Sequence, residues 1–61
     1  MGEQIRAARL EANMTQETVA LRAGLDRSGY VRVERGQAAA TVDSLILIAD
    51  AIDVPLADLV R

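Results

Sequence analysis

Sixty-one residues, 51% of them apolar, with nine acids against seven arginines for a net charge of −2, suffice for one small domain. Such a chain buries only about 60% of the surface it exposes when unfolded, and the expected stability is roughly 3 to 9 kcal/mol. With neither cysteine nor histidine, disulfide staples, thiolate metal sites and zinc fingers are excluded, and Tyr30 as the sole aromatic residue leaves stacking on single-stranded bases almost nothing to work with.

The first predicted helix runs from Gly2 to Ala12, with Ile5 and Ala8 inward and Asn13 suited to the left-handed turn that stops a helix. Thr15 is the next N-cap, since its hydroxyl can accept from the amides exposed at a helix start. The second helix reaches Ala23, turning Val19, Ala20 and Ala23 inward, and Gly24 supplies the positive φ of a corner. Asp26 caps a third helix that ends near Arg35, with Gly36 as its stop. After the connection Gln37-Ala38-Ala39-Ala40, Thr41 caps a fourth helix over Val42 to Ile52. Its inner stripe, Leu45, Ile48, Ala49 and Ile52, has helical spacing. Asp53 takes the C-terminal turn where glycine is usual, and Pro55 opens a fifth short helix from Leu56 to Val60. No repeat, low-complexity segment or linker interrupts the chain, so residues 1–61 are expected to form a single domain.

No strand or long loop fits between Gly24 and Gly36, so the second and third helices must meet at a tight corner. That is the helix-turn-helix arrangement, which sets one helix in the DNA major groove. Charge points the same way. Residues 22 to 36 hold Arg22, Arg27, Arg32 and Arg35 against Asp26 and Glu34, and the acidic excess lies elsewhere. On a wheel of about 100° per residue, Tyr30 and Val33 mark the inward direction of the third helix, with Glu34 and Gly29 on the flanks. The opposite face carries Arg27, Ser28, Val31, Arg32 and Arg35. Three arginines without an acid suit phosphates and base edges; the bland alternative is a solvated face such as any small helix presents. Arg32, in the middle, can donate two parallel hydrogen bonds to guanine O6 and N7. Arg27 and Ser28 lie at the helix end that enters the groove deepest, and Val31 can pack on a thymine methyl.

Ile5-Arg6, Arg9, Met14-Thr15-Gln16-Glu17, Val19-Ala20, Ala23-Gly24-Leu25, Asp26-Arg27-Ser28 and Val33-Glu34-Arg35-Gly36 together resemble the helix-turn-helix family of phage Cro and CI repressors. That family also includes xenobiotic-response-element (XRE) regulators and restriction-modification controllers. A weaker resemblance continues through Leu45-Ile46, Ile48-Ala49, Ile52 and Val54. It implies an all-α, five-helix, lambda-repressor-like DNA-binding domain with helices 2 and 3 as the helix-turn-helix. It also implies a sequence-specific, double-stranded DNA-binding transcriptional regulator of bacterial or phage type, a repressor that acts on its operator as a homodimer. By the same resemblance Gln16 binds a phosphate or steadies the first recognition residue, and Arg35 and the Gly36 N–H hold the DNA backbone. Arg9 pairs with Glu34, tying the first helix to the end of the recognition helix.

The chain departs from the family pattern in three places. Gly29 stands where the family has serine, threonine or tyrosine, and costs about 1 kcal/mol relative to alanine in a helix. Tyr30 replaces a branched aliphatic residue and Val31 a serine, as if the order were displaced by one; the Tyr30 ring must enter the core with its hydroxyl at an edge. Gln37 and three alanines replace a basic loop, which implies fewer phosphate contacts and a shallower salt dependence. Dimerisation is the usual remedy, with recognition helices about 34 Å apart. Leu47, where the family has lysine, forms the expected dimer contact with Leu56 and Val60; the alternative is a scattered exposed leucine.

An enzyme is not expected. No histidine, cysteine, lysine or glycine-rich phosphate loop accompanies the carboxylates, and a chain this short leaves little room for an enclosed pocket. No catalytic residue, cofactor, metal ligand or small-molecule effector site is assigned. A protein-interaction module of helix-turn-helix shape, antirepressor or antitoxin-like, is the competing class; the acidic balance and bare alanine loop favour it, and the arginine face opposes it. The longest apolar run, Leu45 to Ala49, is too short to span a bilayer and the start lacks the order of a signal peptide, so a cytoplasmic location is expected.

Overall fold

The structure is a computed structural model and describes residues 1–60. Four α-helices follow one another as α1 (Gly2–Glu11), α2 (Gln16–Ala23), α3 (Arg27–Glu34) and α4 (Val42–Ile52), and no strand occurs among the described residues. Each predicted side-chain cap is in place. Thr15 accepts from the Thr18 amide at 3.0 Å, Asp26 from Gly29 at 3.2 Å and Thr41 from Ser44 at 3.1 Å, satisfying donors that a helix start would leave bare. The stops also fall as expected. Gly24 has φ 69°, and Asn13 and Asp53, with φ 57° and 65°, hold the left-handed conformation that short polar side chains tolerate.

The fifth helix expected over Leu56 to Val60 is instead a single 3-10 turn, Leu56–Asp58, after an extended Pro55. The Asp58 and Leu59 amides donate to the carbonyls of Pro55 and Leu56, at 3.0 and 2.9 Å. Leu59 is fully buried and Leu56 half-buried against the core, and two anchors over so short a segment support a tight turn rather than a regular helix, whose nucleation is costly.

The core joins Ile5, Val19, Ala20, Ala23, Tyr30, Leu45, Ile48, Ala49, Ala51, Ile52 and Leu59. Ala8, expected to face inward, is half-buried against it. α2 lies on α4 and meets α3 at the corner, while α1 crosses the end of α3. That last crossing is close. A Cβ built on Gly2 would stand 2.5 Å from the Glu34 carbonyl oxygen and 2.8 Å from that of Val33, so only glycine lets the start of α1 reach this seam. Among the described residues no helix is long and apolar enough to cross a membrane.

Candidate nucleic-acid interface

The inner side of α3 passes through Tyr30 and Glu34, one turn apart and both buried, while Val33 is only half-buried. Val33 still packs against the core, but Glu34, expected on a flank, takes the inward position beside Tyr30. An acid takes the core position because its charge is met there. Arg9 Nε donates to Glu34 Oε2 at 2.9 Å and Arg9 Nη2 to Oε1 at 2.8 Å, a bidentate pair. Tyr30 Oη donates to Oε2 at 2.6 Å, and Gln16 Nε2 to Oε1 at 3.2 Å. Arg9 Nη1 reaches the Met14 carbonyl at 2.9 Å. One carboxylate therefore gathers α1, the start of α2 and α3 at a single junction. The Tyr30 hydroxyl, expected at an edge of the core, lies inside this network.

Burial alone would raise the Glu34 carboxyl, but hydrogen bonds from Arg9, Tyr30 and Gln16 outweigh it and hold the group below the ordinary range. The bond to Glu34 raises the Arg9 guanidinium. Burial, with the adjoining carboxylate, pushes the Tyr30 phenol far up. At neutral pH the junction thus holds one cation, one anion and one neutral phenol.

The outer side of α3 exposes Arg27, Ser28, Arg32 and Arg35, as the wheel predicts. Val31 is half-buried at the margin of this face, which follows from the inward axis running through Glu34. The face is not free of acids. Glu17 of α2 reaches across the corner, its Oε2 3.2 Å from Arg27 Nη1, with both side chains well exposed; a wheel drawn for one helix cannot show a neighbour's acid. The Ser28 hydroxyl donates to Asp26 Oδ2. Together with the Gly29 amide it holds the Asp26 carboxyl below its usual range.

Two residues expected to contact the DNA backbone also make hydrogen bonds within the fold. Gln16 is half-buried and its amide is bonded to Glu34, so it steadies the junction. The Gly36 N–H donates to the Val33 carbonyl at 3.1 Å. That bond closes the end of α3, and the left-handed φ of 75° at Gly36 turns the chain away after it. Arg35 remains exposed beside it.

On α4, Leu47 is 44% exposed, as is its neighbour Ile46, and Val60 is 49% exposed. Leu56, expected in the same contact, is half-buried and packs on the core. Among the described residues no cluster of three or more acidic, histidine or cysteine side chains could hold a metal ion.

A helix-turn-helix family profile matches residues 5–59. The fold is similar to the crystal structure of the restriction-modification controller protein C.AhdI from Aeromonas hydrophila, with a TM-score of 0.92 and 36% sequence identity over 95% of this chain and 88% of that one. No curated protein sequence matches the chain.

Proposed function

The chain belongs to the XRE-type helix-turn-helix family, and from that premise we propose that it is a sequence-specific DNA-binding repressor that occupies its operator as a homodimer. The family match and the likeness to a restriction-modification controller support DNA-binding transcription regulation. The observation that carries the finer reading is the outward arginine face of α3, set directly after the corner on a chain that is otherwise acidic.

Each residue then has a role. Arg32 reads a guanine through two parallel donors. Arg27 leaves Glu17 for the duplex, an exchange that costs little because an exposed ion pair contributes only about 0 to 1 kcal/mol. Ser28 enters the groove beside it, and Val31 touches an apolar base edge from the margin. Arg35 neutralises a phosphate, and Gln16 can offer its second amide hydrogen to another. The Arg9–Glu34–Tyr30 junction holds α3 at the angle these contacts need.

Leu47 and Val60, over Leu56, form the two-fold contact that doubles the footprint. Residues 1–61 work as one DNA-binding unit without catalytic chemistry or cofactor, in the cytoplasm, where an operator is reached; bound there, the dimer blocks polymerase.

Selection from a random duplex pool at about 100 mM salt, where backbone attraction is well screened, tests this reading. An enriched palindrome with half-sites about one helical turn apart is the expected result. A folded protein that enriches nothing refutes it. The competing protein-interaction reading, which the Glu17 and Asp26 carboxylates beside the arginine face favour, would then take its place.

A further inference from the structure

Three of the four glycines in this chain are explained by the fold itself. Gly2 sits where a Cβ would strike two backbone carbonyls, and Gly24 and Gly36 have left-handed φ. Gly29 is different. It lies in the first turn of α3 with right-handed helical geometry, and a Cβ added there would meet nothing nearer than Asp26 Oδ2 at 3.9 Å, an ordinary contact. Any residue that favours helix would stabilise α3 at this position, and the fold has room for it. Nothing inside the fold requires the missing side chain.

Gly29 lies at the edge of the arginine face, on a groove of about 310 Å³ that runs from α3 to the connection before α4. Asp26 and Arg32 border the groove beside the glycine, and Ala38, Ala39 and Ala40 form its far wall. We infer that Gly29 is where a base edge of duplex DNA comes closest to the α3 backbone, so that its absent side chain determines specificity. The inference rests on the DNA-binding function proposed above.

The neighbouring charges decide between a base edge and a sugar–phosphate strand. A strand presents anionic acceptors, which the Asp26 carboxylate would repel. A base edge in the major groove presents donors and acceptors together, and these match a carboxylate and a guanidinium that line the same groove. The small side chains of the alanine wall keep the approach open.

The test is Gly29→Ala, measured for thermal stability, for affinity toward the selected duplex and a mixed-sequence duplex, and for its own selected sequence profile. Tm should rise by about 4 °C, because the helix gains propensity and nothing inside is displaced. Affinity for the selected duplex should fall about tenfold while the mixed-sequence duplex is bound as before, since one base contact commonly carries that much discrimination. The profile should change at one or two adjacent positions.

Unchanged affinity and profile would overturn the inference, and a lowered Tm would show that the fold itself needs the glycine. An equal loss on both duplexes would assign the contact to the strand and likewise overturn it. A wild-type chain that enriches no sequence fails earlier, and removes the functional reading on which the inference stands.

Discussion

Arg9 with Glu34 and Arg27 with Glu17 are the same pair of chemical groups, and each links α3 to an earlier helix. The first has side chains 10% and 1% exposed, with contacts at 2.8 and 2.9 Å; the second has side chains 64% and 70% exposed, with a single contact at 3.2 Å. Burial makes the difference. In the inner pair neither charge can turn to water, so opening it leaves an uncompensated ion in the core. In the outer pair both groups remain solvated, and a phosphate or base edge can replace the carboxylate at little cost. One helix thus carries a fixed side that sets its angle and a labile side that can exchange partners.

The largest effect should come from breaking the inner pair. Glu34→Ala should lower stability by about 3 to 5 kcal/mol, enough to unfold much of a domain of this size, as measured by urea denaturation followed by circular dichroism. A loss below about 1 kcal/mol would erase the contrast.

Tyr30→Phe keeps the ring and removes one donor to the carboxylate. It should cost about 1.5 to 3 kcal/mol, the range for hydrogen bonds to charged groups. Arg32→Ala should leave the denaturation midpoint in place and cost about 1 to 3 kcal/mol of binding, relaxing discrimination at one base position. A mutant with an unchanged sequence profile would show that the outer face has been assigned wrongly. The smallest effect belongs to Glu17→Gln, with a stability change of about 0.5 kcal/mol or less. Duplex affinity should rise slightly, because Arg27 no longer has a competing anion.

Titration sharpens the same contrast. The Glu34 carboxyl is held below its ordinary range in the folded state, so the unfolded chain takes up the proton first as acid is added. The stabilisation is complete above the unfolded value, about 4.3, and is lost as pH falls through the depressed folded value. Asp26 shifts in the same direction through Ser28 and Gly29. Glu34→Gln should therefore reduce, but not abolish, the fall in stability below about pH 4.5, read from urea midpoints across a pH series. An unaltered acid limb would show that the carboxylate is not held by its partners.

What could be read from the sequence followed the range of each interaction. The caps at Thr15, Asp26 and Thr41 accept from an amide three residues on, and the turns at Asn13, Gly24 and Asp53 are decided by one residue's conformation; both are local, and the sequence predicts both. Pro55 and apolar spacing predict a helix after α4 but not that it tightens to the 3-10 turn Leu56–Asp58, since they say nothing of how little that segment buries. A helical wheel puts Glu34 on a flank of α3, since a charge reads as outward until its partner is counted, although the family resemblance itself implies the Arg9 pairing. Glu17 beside Arg27, the Gln16 bond to Glu34 and the clash that excludes a side chain at Gly2 each join different helices. No single-helix periodicity contains them.

The most direct test is an amide chemical-shift map of the protein titrated with its selected duplex. The account predicts the largest changes at Arg27, Ser28, Gly29 and Arg32, with Gln16 following and the amides of α1 around Arg9 nearly still. Changes confined to α4 around Leu47, with α3 silent, would contradict it.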